Sequence, residues 1–209
     1  MNWDKFIIVL MLVFMINVNA KDLIENENKL FAFVGEYVDI YEFDTQTSPD
    51  VIMLDLGYTA KYKVLKSIYG NYSGGEFIEF NAYDHYGFPE FAKFKVALLF
   101  VSEENGIIFH QKYQFFDVYK TKGNRWATCG NPYEFEDEIK PKALKSIEFS
   151  PSLEFDISRM SKKYYEEEYP LPIFRIIDTN TAICIKGVYA DELFEIKQKT
   201  VFKARGIKF

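Results

Sequence analysis

The chain has 209 residues, 48% hydrophobic and 18% aromatic, with 25 basic and 31 acidic side chains, a composition that excludes wholesale disorder. A net charge of -6 argues against a protein whose main work is holding phosphate backbones. Two cysteines are too few for a disulfide-built miniprotein or a four-cysteine zinc site.

Residues 1–20 have the layout of a secretory signal peptide. A short polar start leads into an unbroken apolar run at 6–16 (FIIVLMLVFMI), followed by the small residues Val18 and Ala20 at a cleavage site. That run is shorter than the roughly 20 residues a membrane-crossing helix needs. The expectation is cleavage after Ala20 and a secreted or periplasmic protein. With no second apolar stretch of spanning length, it is not expected to be an integral membrane protein. In an oxidising compartment Cys129 and Cys184 are most simply a disulfide. The rival is a nucleophilic thiol at Cys129 with His110 as its base. The turn sequence 122–130 (KGNRWATCG) suits a cross-link better.

Strand patterns dominate residues 21–130. The first, 30–43, is apolar on both faces and changes phase at Gly35, which predicts a bulge or sharp bend. In 57–68, Tyr58, Ala60, Tyr62 and Val64 alternate with Thr59, Lys61 and Lys63. In 76–83, Ile78, Phe80 and Ala82 do the same. In 93–101 the apolar set is Phe94, Val96, Leu98 and Phe100, opposite Lys93 and Lys95. In 107–119 it is Ile107, Phe109, Tyr113, Phe115 and Tyr119, which leaves His110 on the polar face. Glu104-Asn105-Gly106 joins the last two as a hairpin turn. Five bent strands close their edges most simply as a small OB-like barrel.

Residues 131–209 change character and read as an α+β extension, stapled to the barrel by the disulfide. Pro132, Pro141 and Pro151 punctuate an acidic stretch, and 159–168 reads as a short helix ending before Pro170. Residues 173–177 and 182–189 read as strands, while 191–199 fits helix or strand equally. Gly35 to Asp39 and Gly187 to Asp191 share a Gly-x-Tyr-x-Asp spacing, which β-rich segments reach by chance. The fold class expected is mainly β.

The order of these pieces resembles the netrin-like module, the OB-fold barrel of the tissue inhibitors of metalloproteinases. The likeness rests on Phe33-Val34-Gly35-Glu36, on 60–70 (AKYKVLKSIYG), on 76–80 (EFIEF) and on 96–101 (VALLFV). Cys129-Gly130 closes the segment. The resemblance implies an OB-type architecture over about 30–130. Its inhibitory chemistry does not carry over. Those inhibitors chelate the catalytic zinc through an amino-terminal cysteine, whereas the expected mature terminus here is Lys21-Asp22-Leu23.

Few residues point to chemistry. His85, in Asp84-His85-Tyr86-Gly87, reads as a turn histidine, and neither it nor His110 has a second ligand at metal spacing. No nucleophile elbow, phosphate loop or dinucleotide fingerprint is present, so no metal or cofactor is expected. Lys61, Lys63 and Lys66, interleaved with Tyr62 and Tyr69, form a solvated strand face better than a nucleic-acid site in an acidic chain. Glu166-Glu167-Glu168 reads as a solvated face. The aromatic excess is more informative. Tyr83, Tyr86 and Phe88 surround one turn and form the candidate contact surface, with Tyr164, Tyr165 and Tyr169 as a rival cluster. The sequence favours an exported binding or inhibitor-like module that meets a protein or glycan, with no catalytic residue. The alternative is a secreted hydrolase working through a pair of carboxylates.

Overall fold

A computed structural model describes residues 29–45, 54–136, 139–207 and 209. The expected signal peptide, 1–20, lies outside the described residues. The first five strands are β1 (Lys29–Phe43), β2 (Leu56–Tyr69), β3 (Phe77–Asp84), β4 (Val96–Glu104) and β5 (Ile107–Asp117), and they form a closed barrel in the order β1-β2-β3-β5-β4. Every pairing is antiparallel except the single β3–β5 bridge, Asn81 to Phe109, which is parallel. The molecule is mainly β, an OB-like barrel with an α+β C-terminal extension.

Alternation predicts β2 and β3 correctly. Tyr58, Ala60 and Tyr62, with Ile78, Phe80 and Ala82, fill the barrel interior. The doubly apolar β1 is buried on both faces. Phe31 and Phe33 point into the barrel, while Leu30, Ala32 and Val34 pack outward against the C-terminal helices. The phase change at Gly35 is a register shift against β2. A Cβ there would come within 2.8 Å of the Phe33 ring and 3.1 Å of Tyr62, so the bend needs a residue without one. The half-buried reading of β4 is corrected in the same way. Ala97, Leu99 and Val101 face the interior and Leu98 and Phe100 face the helices, so no side of its middle meets water.

The extension supplies the cover for that second face. Helix α1 (Lys162–Glu168) begins three residues later than the sequence pattern implies, because Ser161 caps it by accepting from the Tyr164 N–H. The ambiguous segment is a helix, α2 (Ala190–Lys199), followed by α3 (Val201–Ala204). Asp191 and Glu192 sit in its first turn, Lys197 and Lys199 in its last, matching the helix dipole. Ala190, Leu193, Phe194 and Ile196 are its buried side, and Phe194 and Phe202 reach Phe100 at ring separations of 6.4 and 5.2 Å.

Short strands follow the barrel, the first two within the residues expected to belong to it: β6 (Tyr119–Lys120), β7 (Trp126–Cys129), β8 (Lys145–Ser146), β9 (Glu154–Asp156), β10 (Phe174–Ile176), β11 (Thr181–Cys184) and β12 (Lys186–Tyr189). They make two small sheets, β6-β7-β12-β8 and β10-β11-β9. The Cys129–Cys184 disulfide links them, with Cα atoms 6.1 Å apart, so it joins two sheets outside the five-strand barrel instead of stapling the extension to the barrel. Gly187 lies so close to β7 that a Cβ would fall 1.9 Å from the Thr128 carbonyl oxygen. Gly35 and Gly187 therefore occupy unlike places, and the shared Gly-x-Tyr-x-Asp spacing is not a structural repeat. Among the described residues no helix is long and apolar enough to cross a membrane.

Candidate functional site

The site starts from an irregularity in β5. His110 pairs with Val101 and Phe115 with Leu99, so four residues, Gln111 to Gln114, stand opposite Phe100 alone. This bulge lifts them out of the ladder. It puts Tyr113 in the left-handed region at φ 64°, an uncommon conformation for a side chain of that size. Polar contacts hold the bulge from every side. The His110 Nε2 lies 2.9 Å from the Gln114 carbonyl oxygen, and Gln111 donates to Ser102 Oγ at 2.7 Å. Arg205, beyond α3, donates to Gln111 Oε1 and to the Lys112 carbonyl at 2.8 and 2.9 Å. Lys112 pairs with Asp55 at 2.5 Å.

The phase slip re-aims His110. The sequence places it on the polar face of the strand, but the ring is turned to the aromatic end of the barrel, 4.5 Å from the Phe91 ring and 5.9 Å from Phe80. Burial among these rings pulls its pKa down to about 3; the hydrogen bond to the Gln114 carbonyl opposes this and the charge of Arg205 reinforces it. His110 is therefore neutral at physiological pH. Cys129 cannot use it as a base, since that sulfur is in the disulfide.

Around His110 lies a cavity of about 210 Å3 at the end of the barrel, walled by Tyr83, Tyr86, Phe88, Phe91, Tyr113 and Phe115. The structure brings the three residues of the candidate contact surface, Tyr83, Tyr86 and Phe88, to this one cavity. Tyr86 is 87% exposed at the rim and Phe88 49%, while Tyr83 is half-buried between the rings of Phe43 and Phe109. Phe88 leans on Tyr58, and Tyr86 on Tyr113.

Three polar groups of the cavity wall are engaged within the protein. Asp84 accepts from the Tyr86 N–H at 2.8 Å, Glu90 pairs with Lys93, and the Tyr113 hydroxyl accepts from the His85 N–H at 3.3 Å. His85 has a carboxylate neighbour, Asp55, 3.6 Å from its Nδ1, but neither residue lines the cavity. The same Nδ1 lies 3.1 Å from the Leu54 carbonyl oxygen, and the other Asp55 oxygen holds Lys112, so the pair braces the rim. Among the described residues no group of three or more His, Cys, Asp or Glu side chains is placed to hold a metal ion.

The rival tyrosines do not form one surface. Tyr164 is exposed on α1, whereas Tyr169 packs 5.1 Å from the rings of both Phe155 and Phe174. The lysines of β2 are divided too, with Lys61 paired to Glu79 at 2.7 Å and Lys63 to Glu76 at 2.6 Å. Sequence reasoning missed Phe91, Tyr113 and His110 as walls of the cavity. The available signal was the run His110-Gln111-Lys112, which interrupts the apolar alternation of β5 where the bulge occurs. Comparison with family models, with curated proteins and with solved structures finds no match for the chain.

Proposed function

We propose that the protein is an exported, non-catalytic binding module that receives an aromatic or large aliphatic side chain of a protein partner in the cavity at the barrel end. One observation carries this reading: Tyr83, Tyr86 and Phe88 wall a single, mostly apolar cavity in which Asp84, Glu90 and the Tyr113 hydroxyl are bonded within the protein. A cavity of about 150 Å3 already accommodates benzene, so 210 Å3 has room for one ring. Sugar recognition needs convergent donors and acceptors that are free to turn to the ligand. Here Asp84, Glu90 and the Tyr113 hydroxyl are engaged elsewhere, which favours an apolar anchor over a glycan. Hydrolysis is disfavoured for the same reason.

The netrin-like resemblance enters this proposal as an architecture only. Export rests on the apolar run and the Val18-x-Ala20 ending; amino-terminal sequencing of secreted material should begin at Lys21, and an intact Met1 would contradict export by a cleaved signal. The function is tested with a displayed random-peptide library. Peptides with one Phe, Tyr, Trp or Leu anchor should be enriched, and Tyr86→Ala with Phe88→Ala should abolish their capture. Enrichment on a glycan array alone, or turnover of a peptide or glycan that vanishes on mutating one carboxylate, would overturn the reading.

A further inference from the structure

A second feature lies at the other end of β2. Cavity residues Ala82 to Asp84 pair with the start of that strand, Leu56 to Tyr58, and the β2–β3 ladder stops at Lys63 opposite Phe77. From Leu65 to Tyr69, β1 is the only strand partner β2 has among the described residues. A strand end with one unpartnered side is a template for an added strand. Beside it runs an open groove of about 630 Å3 whose walls include Lys66, Ile68, Lys120, Arg125, Trp126 and Asp191.

The charge of this groove opposes that of the molecule. Lys66 and Lys120 form no ion pair among the described residues, unlike Lys61 and Lys63 earlier on the same strand. Lys120 rests 4.9 Å from the centre of the Trp126 ring, and the Arg125 guanidinium 3.5 Å from that of Tyr189, contacts that hold both cations in place. Arg125 also donates to Asp191 at 2.8 Å. Three cations against one carboxylate leave a local positive excess in a chain of net charge -6. Charge complementarity therefore selects an anionic occupant, and the free strand side selects one with a peptide backbone.

We propose that this groove docks an extended acidic peptide segment of a protein partner. Its backbone pairs with the free side of β2 between Leu65 and Tyr69, and its carboxylates meet Lys66, Lys120 and Arg125. The proposal is independent of the aromatic cavity.

The test uses the secreted protein starting at Lys21, whose one tryptophan, Trp126, reports by fluorescence, and an acetylated, amidated heptapeptide of alternating Glu and Val as probe. The expected result is a saturable change in emission. Lys66→Gln with Lys120→Gln should weaken it at least about tenfold, as should raising salt from about 50 to about 300 mM. Methylating alternate peptide nitrogens of the probe should weaken it by a similar factor, which charge attraction alone does not predict. The thermal midpoint of the double variant should stay within about 2 °C, since exposed substitutions change stability little. Failure of the peptide to bind, equal affinity in the double variant, or undiminished binding of the methylated probe would each overturn the proposal. Saturation by a heparin hexasaccharide but not by the peptide would assign the groove to acidic glycans instead.

Discussion

Replacing His110 with Phe should remove a specific part of the acid sensitivity of this fold. In the unfolded chain an imidazole titrates near 6.5, whereas the ring of His110, set among Phe80 and Phe91, is held down at about 3. Between these values the unfolded state binds a proton that the folded state refuses. The stabilising contribution is therefore fully present above pH 6.5 and is lost as pH falls toward 3. From pH 7 to pH 5 the linkage relation gives a loss of at most about 2 kcal/mol, and closer to about 1 kcal/mol if solvent at the half-buried ring relieves part of the shift. Carboxylates titrate mostly below this window, so they contribute little to it. Phe keeps a ring against Phe91 but cannot titrate, and it forfeits the hydrogen bond to the Gln114 carbonyl, at about 1 kcal/mol. The assay is urea unfolding of both proteins at pH 7 and pH 5. With a slope of about 3 kcal/mol per M, the wild-type midpoint should drop by about 0.3–0.7 M more than that of His110→Phe. Equal drops would refute the burial argument, whatever the absolute stabilities.

Replacing both Cys129 and Cys184 by Ala should cost about 4 kcal/mol, since the bridge closes a loop across a sequence separation of 55 in the chain-entropy account; calorimetry showing a loss below about 1 kcal/mol would contradict it. Phe202→Ala should cost about 3–5 kcal/mol, because that fully buried ring covers Phe100 on the outer face of β4. Chemical denaturation checks it, and a surface-like cost under about 0.5 kcal/mol would mean that the helices do not cover the barrel. Tyr86→Ala with Phe88→Ala should leave the thermal midpoint nearly unchanged while weakening peptide capture by about 2 kcal/mol or more, as read by biolayer interferometry.

The barrel is legible in the sequence where one face of a strand meets water. Tyr58, Ala60 and Tyr62 alternate with Thr59 and Lys61 because only the inner set is in the core, and β3 follows the same rule. β4 defeats this logic, because Leu98 and Phe100 are covered by residues about a hundred positions later, and no local pattern records that contact. Residues 191–199 fit helix and strand equally for a related reason. Phe194 and Ile196 alternate as in a strand, while Ala190, Leu193 and Phe194 fit a helix, and tertiary packing made the choice. The candidate site is half visible in the sequence. A turn rich in aromatic residues marked Tyr83, Tyr86 and Phe88, but the inward turn of His110 depends on a bulge whose register is set by β4.

The account is tested most directly by titrating N-acetyl-phenylalaninamide into the protein and following side-chain resonances by NMR. A ligand of about 15 non-hydrogen atoms at about 0.3 kcal/mol each should bind with a dissociation constant near 0.5 mM. The predicted shifts concentrate on Tyr83, Tyr86, Phe88 and His110, the residues that wall the cavity, and disappear in Tyr86→Ala with Phe88→Ala. Shifts centred on Trp126, or scattered over the surface without saturation, would contradict the assignment of the barrel end as the binding site.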